Sequence, residues 1–138
     1  MKVDGSCHCG QFTFEVEINP EKIFICHCTD CQMMSGSPFR VLAPTREGTF
    51  RVLSGEPKIY IKTGDSGAKR TQAFCPECGT PLFSSAAEDN PKYYNIRIGT
   101  IRQRDQMIPK IQIWCRSESP WLAELPTLEK VEKQWAPQ

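Results

Sequence analysis

No stretch of this 138-residue chain approaches the roughly 20 consecutive apolar residues of a membrane-spanning helix, which excludes a helical span. The opening Met1-Lys2-Val3-Asp4-Gly5 lacks an apolar h-region and a cleavage site, so no export signal and a cytoplasmic location are expected. Internal repeats, low-complexity runs and linker-like segments are also missing, and the length predicts one domain over 1–138. Neither charge dominates: 17 Lys and Arg face 16 Asp and Glu, a formal net charge of +1. Without a basic stripe to track a phosphate backbone, a nucleic-acid partner is not expected.

What the chain does have is cysteine. Seven of its eight cysteines fall in three clusters: Cys7-His8-Cys9-Gly10, Cys26-His27-Cys28-Thr29-Asp30-Cys31 and Cys75-Pro76-Glu77-Cys78-Gly79. Disulfides are the first alternative to weigh. In an extended segment, residues i and i+2 share a face roughly 6.6 Å apart, too far to bridge but well placed to grip one ion. Without a secretory context such clusters read as metal sites. Two pairs supply the four ligands of a closed structural zinc site, while the triplet supplies three and leaves a position open.

Cys7/Cys9 and Cys75/Cys78 are each followed at once by glycine, Gly10 and Gly79. Glycine permits the positive φ of a tight turn around a metal and can aim amide N–H groups at the thiolates. These half-sites are therefore expected to share one zinc. The triplet lacks that glycine, and His27, alternating with the cysteines, is expected to point away. Cys115 competes for the fourth position: folded back onto the triplet, it would close the site. With seven thiolates and two Zn²⁺ bound, the net charge becomes about −2.

Eleven prolines and nine glycines disfavour long helices. Between them lie short alternating runs at Phe12–Ile18, Lys58–Lys62, Tyr94–Ile98 and Lys110–Trp114, with a shorter one at Thr49–Leu53. The period of two predicts strands and a mostly β domain. Helix is expected only after the triplet and as a docked surface segment near Leu128–Glu132.

A tri-thiolate zinc carries a formal charge of −1, which makes it a weak Lewis acid toward water and a better match for a soft exogenous thiol. A thiol held there as thiolate becomes a usable nucleophile beside a carbonyl. The added negative charge calls for a cation nearby, and Arg40 is the first candidate for that thiol-binding role. Lys69-Arg70 and Arg97/Arg102/Arg104 are further basic candidates, each more commonly a solvated face.

Gly5-Ser6-Cys7-His8-Cys9-Gly10, the triplet running into Ser35-Gly36-Ser37-Pro38-Phe39, and Phe74-Cys75-Pro76-Glu77-Cys78-Gly79-Thr80 with Leu82 resemble the glutathione-dependent formaldehyde-activating enzyme family. Ile113-Trp114, Ser117 and Pro120-Trp121 are similar to its closing motif, so the resemblance runs from about Gly5 to Leu125. It implies a tent-like fold of short antiparallel strands around two zinc sites. Cys7, Cys9, Cys75 and Cys78 would form the closed one; Cys26, Cys28 and Cys31 would form the open, catalytic one. The implied activity is a carbon–sulfur lyase of the S-(hydroxymethyl)glutathione synthase type, with glutathione and formaldehyde, or a related aldehyde, as small-molecule partners. Cys115 then has no ligand role and is expected to be a buried free thiol. The family also includes a centromere-protein-V-like branch with other duties. A non-catalytic zinc-binding interaction module and a thiol/zinc redox-responsive protein are the alternatives from other classes.

Overall fold

The computed structural model describes residues 1–135. Phe12, Phe14, Val16 and Ile18 are all buried, and the Glu15 and Glu17 between them are not. That period of two makes β2 (Thr13–Glu17) a half-buried strand, with β1 (Lys2–Ser6) antiparallel on one side and β5 (Arg51–Ser54) on the other. Above this three-stranded sheet lies a second one of seven strands. It contains β3 (Phe24–Cys26), β4 (Arg40–Pro44), β6 (Lys58–Thr63), β7 (Lys69–Phe74), β8 (Pro81–Ala86), β9 (Tyr94–Arg97) and β10 (Ile111–Ile113). Their order is β10-β3-β4-β9-β8-β7-β6.

The two sheets enclose one hydrophobic core. Phe12 and Phe14 meet Leu82, Phe83, Ile96 and Ile101, each side chain contributing about 1.5–3 kcal/mol by leaving water. Phe50 stacks on Tyr94 at 4.6 Å and meets Phe83 edge-on at 5.1 Å. Isolated bridges Gly5–Ile101 and Ile18–Thr45 tie β1 and the end of β2 to the chain beyond. Cys7 and Cys75 lie in the core, whereas Cys9 is exposed.

The mostly β class holds, but several local expectations do not. β10 runs parallel to β3, so pairing is not uniformly antiparallel; the long stretch of chain between them supplies the crossover a parallel pair needs. β6 sits at the sheet edge with Ile59, Tyr60 and Ile61 exposed, so its alternation does not mark a buried face. The helix α1 (Thr29–Ser35) starts inside the cysteine triplet rather than after it. No helix forms over Leu128–Glu132. A 3₁₀ helix instead runs from Pro120 to Thr127, and Leu128 and Val131 stay exposed. A five-residue segment cannot offset the cost of helix nucleation without a core face to cover.

Candidate metal centres

The first centre joins two similar turns. Cys7 N–H donates to Phe12 O (3.0 Å) and Cys75 N–H to Thr80 O (2.9 Å), so each cysteine pair sits inside a loop closed over the same span. Gly10 and Gly79 have φ of 84° and 76°, the left-handed conformation that favours glycine. Their N–H groups donate to the carbonyls of Cys7 and Cys75, however, and not to sulfur. The thiolates draw on other amides: Phe12 N–H points at Cys7 Sγ from 3.3 Å. Cys7 and Cys9 thus lie on a turn, not on the extended segment expected.

The four sulfurs lie within 4.8 Å of one another, with Cys7–Cys9 at 3.6 Å and Cys9–Cys75 at 3.8 Å. Thiolates arranged tetrahedrally at about 2.3 Å from zinc would be about 3.8 Å apart, so the cluster has the dimensions of a zinc site. The Thr80 hydroxyl, 3.1 Å from Cys78 Sγ, and the backbone N–H groups of Thr80 and Cys9 pull the Cys78 thiol down to about 5. Cys9 accepts from Gln11 N–H, yet its neighbouring sulfurs, Cys7 first, push it up to about 12.

Two elements, β3 and α1 with its cap, build the second centre. Cys26 ends β3, Cys28 caps α1 by accepting from Cys31 N–H at 3.3 Å, and Cys31 rides in the helix. Their sulfurs also lie within 4.8 Å of one another, and no fourth Cys, His, Asp or Glu joins them among the described residues. Cys115 lies outside the cluster, as a thiol without a ligand role should, but it is exposed rather than buried. His27 points away: it is buried, its Nε2 lies 2.7 Å from Gln112 Oε1, and its ring packs tilted on Phe39. Gln32 anchors the helix by donating to His27 O (2.8 Å) and Ser117 O (3.0 Å). Asp30 and Lys62 pair at 2.7 Å and tie α1 to β6.

Arg40 stands opposite Cys26 in the β3–β4 register and is only 6% exposed. A surface strand residue was the ordinary alternative, and its burial rules that out. The Cys26 thiol, donating to Cys31, and the positive charge of Arg40 hold Cys31 down to about 5 against the opposing effect of burial. Cys26 is pushed up, first because it shares its proton with Cys31 and then by burial. Arg97 is a second buried guanidinium, donating to Gln72 Oε1 (2.6 Å) and Ser84 Oγ (3.4 Å). Burial, then the like charge of Arg40, pulls it down to about 9, still cationic at neutral pH.

The family described as "Glutathione-dependent formaldehyde-activating enzyme" matches residues 2–117, most of the chain. The chain belongs to this family. Members and relatives named among curated proteins are distant. An uncharacterised lyase of Schizosaccharomyces pombe is 29% identical over 67% of this chain and 64% of its own length. A putative glutathione-dependent formaldehyde-activating enzyme of Penicillium rubens is 26% identical over 62% of this chain and 44% of its own. The chain thus spans less than two thirds of the curated relatives it matches. The crystal structure of a Rhodobacter sphaeroides protein aligns with a TM-score of 0.59 at 22% identity, covering 79% of this chain and 98% of that one. That likeness shows a shared fold.

For a member of the glutathione-dependent formaldehyde-activating enzyme family, the surroundings of the triplet matter as much as its sulfurs. A cleft of about 720 Å³ opens at Cys28, lined also by Asp30, Lys62, Asp65, Trp114 and Arg116. Spacing of the cysteines indicated the two clusters. Nothing local in the sequence indicated Gln32, Gln112 or Lys62, which reach the centre only through tertiary pairing.

Proposed function

We propose that the chain is a zinc-dependent carbon–sulfur lyase that joins a small thiol such as glutathione to formaldehyde or a related aldehyde. The observation that carries this reading is the incomplete triplet: three converging sulfurs, no fourth protein ligand among the described residues, and a cleft leading to Cys28. Cys26, Cys28 and Cys31 would hold one zinc, and Cys7, Cys9, Cys75 and Cys78 a structural one. Zinc bound to the triplet supplies a positive centre that favours the thiolate form of an incoming thiol near neutral pH. In the condensation, one bond forms between the thiol sulfur and the aldehyde carbon. The carbonyl oxygen gains the proton that the thiol gives up, and nothing is oxidised or reduced. The reverse reaction is the carbon–sulfur cleavage.

The protein's own side chains set the conditions. Arg40 places a buried positive charge beside Cys31, which offsets the charge of a fourth thiolate. Gln32 and the Asp30–Lys62 pair fix the helix that carries Cys31, so the open position keeps its orientation. Replacing zinc by cobalt(II) makes the test spectroscopic. Two metal ions per chain are expected, with a visible spectrum altered by glutathione in the unmodified protein. Cys28→Ser should leave a folded protein whose remaining cobalt ignores glutathione. Indifference to glutathione in the unmodified protein would overturn the thiol-binding reading and favour a non-catalytic module.

A further inference from the structure

A second cleft, about 730 Å³, runs beside the first centre and reaches Arg40 from a side that the triplet cysteines do not line. That volume is in the range of small-molecule sites. Four arginines line it, Arg40, Arg97, Arg102 and Arg104, and Asp4 is its sole carboxylate. The cleft at Cys28 is different, because there Asp30 and Asp65 balance Lys62 and Arg116.

Two of the four charges already have partners. Arg102 grips Asp4 through two hydrogen bonds, Nε to Oδ2 at 3.0 Å and Nη2 to Oδ1 at 2.7 Å. Arg40 faces Cys31. The other two have no anionic hydrogen-bond partner among the described residues, although Arg97 also feels the charges of Cys31 and Cys26. Arg97 meets only neutral oxygens, those of Gln72 and Ser84, and Arg104 donates to Ile101 O at 3.1 Å. No carboxylate lies within 4.0 Å of either among the described residues. Arg40 and Arg97 are each more than nine-tenths buried, and each keeps an Nε without a hydrogen-bond partner. Buried guanidinium donors without an anion cost free energy, and a planar carboxylate is the acceptor their geometry suits.

We propose that this cleft is a carboxylate-binding site whose ligand is a small molecule carrying two carboxylates, one for Arg97 and one for Arg104. Two sources share that chemistry. The carboxylates can belong to the thiol itself, glutathione carrying two, and that version rests on the thiol-binding reading above. They can equally belong to a separate dicarboxylic acid that sits against Arg40 while the thiol occupies the triplet.

The experiment is calorimetric titration of the fully metallated chain with three probes. These are a glutathione analogue with 2-aminobutyrate in place of cysteine, its diethyl ester, and glutarate. The analogue or glutarate should bind, and the diester about tenfold more weakly than the analogue or not at all. Arg104→Gln should weaken binding about tenfold. Asp4→Asn should strengthen it, because it frees Arg102, and a gain of affinity cannot come from misfolding. With cobalt in the triplet, glutarate that blocks the glutathione-induced spectral change assigns the site to the thiol's own carboxylates. If glutarate and glutathione bind together, the occupant is a separate dicarboxylate. Failure of both acids to bind, equal binding of acid and diester, or weaker binding to Asp4→Asn would each overturn the site. If the analogue binds while glutathione leaves the cobalt spectrum untouched, the carboxylate site stands and the thiol reading falls.

Discussion

Arg40 holds its charge where the sheet is dry, with Cys31 on one side and the arginine-lined cleft on the other. In place of a carboxylate, the triplet thiolates supply the charge opposite this buried cation. Arg40→Gln keeps much of the shape and removes the charge. It should weaken glutathione's effect on the cobalt triplet about tenfold, since contacts to charged groups contribute about 1.5–3 kcal/mol. Arg40→Lys should recover part of that loss, and titrating the visible spectrum at fixed pH checks both. Equal affinity in Arg40→Gln would remove this residue from the thiol site.

At the scale of the element, the strand-to-turn junctions decide where the sulfurs stand. β1 must pass close to the chain after β9 to deliver Cys7, and Gly5 makes that approach possible. A methyl group there would lie 2.3 Å from the Thr100 carbonyl oxygen and 2.4 Å from Cζ of Phe14. Gly5→Ala is expected to lose about 3 kcal/mol of stability, the upper end of the usual overpacking range, measured as a shift in the urea midpoint. A midpoint unchanged from the parent would mean that β1 moves freely at this point.

The same elements show what a sequence can reveal. β2 was legible because Phe14 and Val16 are buried while the alternating Thr13, Glu15 and Glu17 keep to the more open face. β8 was not, since Leu82, Phe83, Ser84 and Ser85 are all buried and give no alternation. β7, Lys-Arg-Thr-Gln-Ala-Phe, hides behind polar residues. Within the triplet and within each half-site the sulfurs were legible because they lie close in sequence, and the pairing of the half-sites across 66 residues was legible from the glycine after each. Arg97 and the Gln72 that holds it were not, being 25 residues apart and brought together across the intervening β8.

At the scale of the molecule, both centres link folding to acidity. Cys31 and Cys78 are held near 5, well below the ordinary thiol value of 9.0. Their contribution to stability is complete above that ordinary value and is lost as pH falls through the window toward 5. Cys26 and Cys9 keep their protons harder, so a metal must displace those protons to bind. Acid therefore favours release in both centres. Zinc release to a coloured chelator should be slight at about pH 8 and rise steeply toward about pH 5, with loss of structure following loss of the four-sulfur site. Structural zinc contributes on the order of 10 kcal/mol. A flat release profile across that window would contradict the thiolate assignment.

The two centres also differ in when they can exist. Cys26, Cys28 and Cys31 are neighbours in the chain, whereas Cys9 meets Cys75 across 66 residues. A growing polypeptide therefore owns a complete triplet long before the tetrahedral cluster can close. Until Cys78 has emerged, half of the closed site consists of two cysteines with no partner. Synthesis from the N-terminus thus presents Cys7 and Cys9 first, completes the triplet next and supplies Cys75 and Cys78 last, which makes the nascent chain most vulnerable to a wrong metal or an oxidant in that interval.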